Sequence, residues 1–220
     1  MRKVFFILTT CALLLRASYV DALARCDVPN NPKITFYSSL GKLVYDFSMD
    51  YKGISKRANK IDSVLGLAER RLGQAIRIKL AGVPYRSGYC IVPTEIEVYV
   101  GIGAPTIFVT NDYKPEECHY KFVLRHEQAH MQVSIRMLEH FVKEAPERFR
   151  MASALVAPVF ITNQSQIGDA RQTLFDEYSA IVTVLREALD EAVEEEQQKI
   201  DDEKIRGLIV EVCGKHSKIY

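Results

Sequence analysis

Leu124-Arg125-His126-Glu127-Gln128-Ala129-His130 is the stretch on which the reading of this chain turns. Histidines four apart on a helix lie one above the other, so His126 and His130 can direct their imidazoles at one metal ion. Glu127, one step round, can reach a water held there. The surrounding pattern is helical: Phe122, His126, Ala129, His130, Val133, Met137 and Phe141 recur at three- and four-residue steps. Pro115 suits a first turn, Glu116 and Glu117 complement the N-terminal dipole, and the periodicity predicts a helix to about Lys143, broken at Pro146. Two histidines on an apolar stripe sit in a core or a cleft. The bland alternative is a pair of hydrogen-bonded core histidines. The intervening glutamate favours a metal, and neutral imidazole suits zinc.

Working outward, the first half of the chain reads as β-rich. Residues 34–37 and 42–47 carry β-branched and aromatic side chains around a Ser-Ser-Leu-Gly turn, which predicts a hairpin. Ile54, Ala58, Ile61, Leu65, Ala68 and Leu72 recur at helical steps before Gly73 and predict an amphipathic helix. Short strands are expected at 76–80, 96–100 and 106–110. Beyond Pro146 a further helix is expected over 147–156, a loop at 162–165, and a last helix from about Asp169 towards the charge-rich stretch 194–203, with the acidic run Glu194-Glu195-Glu196 read as a solvated face.

Composition places the chain among single globular domains: 220 residues, 48% hydrophobic and 26% charged, with 29 basic against 28 acidic residues. The near-neutral balance without a basic block argues against nucleic acid as a partner. Met1-Arg2-Lys3, the apolar run from Val4 to Leu15 and Ala22-Leu23-Ala24 read as a signal peptide over 1–24, leaving one domain over 25–220. The run is too short for the ~20 residues of a membrane span, so no span is expected after cleavage. Export, to a periplasmic or extracellular compartment, fits the four remaining cysteines, Cys26, Cys90, Cys118 and Cys213. Two disulfides are expected, with Cys90–Cys118 and Cys26–Cys213 the favoured connectivity. The sequence assigns no oligomeric state.

Residues 126–130 resemble the active-site helix of zincin metallopeptidases. The layout of residues 33–203, with a signal peptide and paired cysteines, is similar to bacterial secreted zinc-dependent proteases inferred from sequence. The resemblance implies an α+β fold: a small, mainly antiparallel sheet with a backing helix, the HExxH helix, then a C-terminal helical region. It implies Zn2+ held by His126 and His130, and hydrolysis of peptide or protein substrates by a zinc-activated water with Glu127 as general base. By the same analogy the substrate lies against an edge strand, assigned to Thr106–Thr110, with Gly101 and Gly103 letting that rim move.

A third ligand is needed. The zincin branch with HExxHxxGxxH is excluded by Val133 and Arg136, and His140 lies about 15 Å further along a continuous helix. The branch in which a later helix supplies glutamate points to Glu177, read as lying on the stripe of Ala170, Leu174, Ile181, Val184 and Ala188. Asp176, on a more polar flank, is the runner-up, better suited to orienting a ligand histidine. Asp169, Asp202 and His216 remain as alternatives, and Tyr178 or His119 as an oxyanion donor. Two other functions compete: a zinc amidase acting on a non-protein substrate, and a non-catalytic disulfide-bonded binding or scaffold protein.

Overall fold

The computed structural model describes residues 26–61, 64–201 and 211–214. The signal-peptide segment 1–24, Asp202 and His216 lie outside the described residues. The chain is α+β, in the order β1 (Lys33–Leu40), β2 (Val44–Asp46), α1 (Tyr51–Arg57), β3 (Gly66–Tyr85), β4 (Gly88–Val109), α2 (Cys118–Ser153), β5 (Val159–Ile161) and α3 (Ile167–Ile200). The five strands form one sheet in which β4 pairs with each of the other four. Its central place follows from its sequence: Ile96, Val98, Val100 and Ile102 alternate along one face and are all buried.

The sheet is mixed. Two residues, Arg86 and Ser87, join β3 to β4, with Arg86 in the left-handed region at φ 50° that such tight turns favour. β5 runs antiparallel to β4 through Tyr89↔Ile161 and Ile91↔Val159, whereas β2 runs parallel through Val44↔Thr106 and Asp46↔Phe108. β1 keeps the same offset as β2: Lys33 pairs with Glu95, and Tyr37 stacks on Tyr99. The expected hairpin of 34–37 with 42–47 is therefore replaced by two strands that each pair with β4. Gly41 explains the difference, since its N–H donates to Ile102 O at 2.8 Å and a Cβ there would lie 2.8 Å from Ala104 N. The segment lies flat along β4 and does not turn back.

The helix expected over 54–72 is also corrected. Only α1 forms, capped by the Asp50 side chain accepting from Gly53 N–H, and Asn59 at φ 52° ends it. Leu65 ends a connection, and Ala68 and Leu72 belong to β3. The helical spacing of the apolar residues was outweighed by the ladder that β4 offers, a tertiary contact no local pattern reports. In contrast, α2 runs through Pro146 for 36 residues. Proline removes one helical hydrogen bond there, but Ala145 and Phe149 on either side are buried and hold the helix together.

The chain divides into two compact units, one of residues 1–35, 76–98 and 146–183, the other of 36–75, 99–145 and 184–220. In the first, Phe149 and Tyr178 stack at 6.0 Å and Cys26 bonds to Cys90. In the second, Ile107, Val109, Tyr113, Tyr120, Val123 and Met131 form a core and Cys118 bonds to Cys213. Two disulfides are present as expected, but each closes within one unit, which corrects the favoured connectivity. They fit an oxidising compartment. Among the described residues no helix is long and apolar enough to cross a membrane.

Candidate metal centre

The second unit brings three ligand atoms together. His126 Nε2 and His130 Nε2 are 3.1 Å apart, and Asp201 Oδ1 lies 3.2 Å from the first and 3.0 Å from the second. The histidines are one turn apart on α2. Asp201 follows the last residue of α3, and its N–H still donates to Gln197 O at 3.2 Å. The helical turn therefore continues, and Gln197 and Asp201 share a face with the same spacing as the histidines.

Hydrogen bonding fixes the tautomer of His130. Gln197 Nε2 donates to Ser134 Oγ at 2.9 Å and to His130 O at 3.3 Å, which turns Gln197 Oε1 towards His130 Nδ1 at 2.7 Å. Oε1 can only accept, so Nδ1 carries the proton and the Nε2 of a neutral His130 presents a lone pair. Burial and the neighbouring His130 push the His126 pKa down, favouring its neutral form, although Asp201 opposes this. His126 Nε2, His130 Nε2 and Asp201 Oδ1 thus converge, and either a proton on His126 Nε2 or a cation can hold them together. The spacing fits a cation, because the edge of a tetrahedron with zinc-ligand bonds of about 2.0–2.1 Å is about 3.3 Å. Replacing Gln197 with leucine is expected to weaken zinc binding roughly ten- to hundredfold, read by competition with a chromophoric chelator. Unchanged affinity would show that Gln197 does not orient His130.

Glu127 lies beside this cluster and is only 7% exposed. Burial pushes its carboxyl up to about 8, and the Asp201 charge adds to the shift, whereas the Ala68 N–H it accepts from and Lys60 oppose it. β3 comes unusually close here: a Cβ on Gly66 would lie 2.6 Å from Glu127 Cγ.

Of the predicted residues, His126, Glu127 and His130 are brought together and Glu177 is not. Glu177 is exposed in the first unit, and Asp201 is the carboxylate that joins the histidines. The buried line of α3 is Ala170, Leu174, Tyr178, Val182, Leu189 and Val193, so Tyr178 occupies the place given to Glu177. Continued by steps of four, that line reaches Gln197 and then Asp201, which is the signal that would have found them. Asp176 and Asp169 are exposed, and Asp176 accepts from Gln172 Nε2 at 2.7 Å. The Tyr178 hydroxyl is engaged by Asn30 Nδ2 at 3.3 Å, and His119 stacks on Tyr113 with Nε2 3.2 Å from Gly214 O. Thr106–Thr110 is not an edge, because Thr106–Phe108 pair with β2 and Thr110 N–H donates to Leu65 O. Comparison with protein-family models, curated proteins and solved structures gives no match, so the likeness to zincins rests on residues 126–130.

Proposed function

We propose that the protein is an exported zinc-dependent peptidase, with His126, His130 and Asp201 holding the metal and Glu127 as general base. The convergence of three potential ligand atoms at 3.0–3.2 Å carries this reading. Gln197 supports it by holding one ligand in the metal-binding tautomer. Zinc in such a site lowers the pKa of a bound water towards neutrality and polarises a peptide carbonyl.

The chain's own residues do the rest. With a cation in the cluster, the Glu127 carboxyl is drawn back towards its ionised form. It then takes a proton from the attacking water and delivers it to the amine that leaves. The Ala68 N–H, which Glu127 accepts from, points away from the β3–β4 ladder. The outward edge of β3 beside Glu127 thereby suits an extended peptide, in place of the Thr106–Thr110 strand. The two disulfides support export.

Glu127→Gln is expected to keep its zinc and to lower hydrolysis of casein by roughly a hundred- to ten-thousandfold. Wild-type protein that takes up no zinc at neutral pH overturns the reading. Full activity in Glu127→Gln removes Glu127 from the role of base.

A further inference from the structure

A cavity of about 720 Å³ opens beside His126, within the size range of ligand sites. Its apolar surface comes from Phe122 and Ala129 on α2, from Ile200 at the end of α3, and from Val212. His126 itself lines the cavity, and Ile200 immediately precedes Asp201 in the chain. The Cys118–Cys213 bridge fixes the Val212 wall to the start of α2.

Several cations of the same unit are paired with carboxylates. Arg57 pairs with Glu69, Arg70 with Asp190 and Glu194, and Arg186 with Asp190. Lys121 and Arg125 line the cavity one helical turn apart, both exposed, and neither pairs with a carboxylate among the described residues. Like charges at that spacing repel on an isolated helix, so they cost α2 a little stability where they stand. Glu116 is the one acidic group among the described lining residues.

We propose that this cavity is a substrate subsite selecting an apolar side chain followed by an acidic one. The proposal rests on reading the cluster as a peptidase centre and names the class of peptide it takes. The apolar side chain enters between Phe122, Ala129 and Ile200, and the acidic side chain meets Lys121 and Arg125 at the rim.

The test measures binding and cleavage separately. Zinc-loaded Glu127→Gln protein is titrated into N-acetylated, C-amidated heptapeptides with one fluorescent label, a central leucine, and glutamate or lysine after it. The glutamate peptide is expected to bind roughly tenfold tighter, with the preference vanishing at about 1 M salt. Serine in place of the leucine weakens binding roughly tenfold. In the Lys121→Glu/Arg125→Glu variant the preference inverts while zinc content stays the same. Equal binding of the two peptides, no binding of either, or a preference that survives the double substitution overturns the subsite. Cleavage by wild-type protein without acid preference overturns the subsite and leaves the peptidase reading standing. Acid-selective binding with no cleavage by wild type overturns the peptidase reading and leaves an acid-selective peptide site.

Discussion

Asp201→Ala is expected to reduce zinc from about one ion per chain to well under half, and to weaken affinity more than a hundredfold. Loss of a residue that merely orients a ligand costs about ten- to hundredfold, and Asp201 supplies a donor atom and the only carboxylate within the described cluster. Two imidazoles one turn apart then remain, with no anionic partner. The effect should not come from unfolding, because the Asp201 side chain is half exposed and terminates its helix. The comparison that decides the point is Glu177→Ala, which should bind zinc as wild type does. Elemental analysis of protein purified without chelator, with circular dichroism on the same samples, makes the measurement. Zinc lost from Glu177→Ala and kept by Asp201→Ala would falsify the ligand set.

Those two carboxylates show what was legible in the sequence. The HExxH helix was legible because its apolar stripe is strong and its two candidate ligands lie on one element, where spacing alone fixes their geometry. The proposed third ligand comes from a helix distant in sequence, and its place depends on the register of that helix's buried stripe. A stripe through Ile181 and Val184 places Glu177 inside. The structure buries Tyr178 and Val182 and leaves Val184 65% exposed, so the register differs by one position. The acidic run hid Asp201 for a related reason: most of its residues are solvated, and Gln197 and Asp201 stand out only by sharing the face of Leu189 and Val193.

The sheet was partly legible. Strong period-two alternation marks β4 over 96–100 and β3 over 76–80, but the first part of β3, Gly66–Leu72, carries mixed burial and no clean alternation. Those residues, with Leu65 before them, therefore read as helical. Pairing with β4 decides their conformation, and the approach of Gly66 to Glu127 shows how closely that pairing packs against α2.

Gly66→Ala follows from this contact and is expected to destabilise the protein by about 1–3 kcal/mol, the usual cost of overpacking. Glycine serves here for space and not for conformation, since Gly214 is the only glycine at positive φ among the described residues. An added Cβ would lie 2.6 Å from both Glu127 Cγ and Val123 Cγ1, and 2.7 Å from Glu127 Oε1. The Val123 methyl is held by a branched side chain in the core, so it gives little ground. Glu127 can rotate, but doing so breaks its bond from Ala68 N–H and moves the proposed base. Activity should therefore fall by more than the stability loss explains. Removing the carboxylate side chain should relieve the crowding: two of the three nearest atoms belong to Glu127, so Glu127→Ala in the Gly66→Ala background should recover part of the lost stability. A double-mutant cycle by urea unfolding should give a favourable coupling of about 0.5–3 kcal/mol. Strict additivity would mean that β3 moves aside when Gly66 acquires a side chain, so that Glu127 keeps its place in the variant.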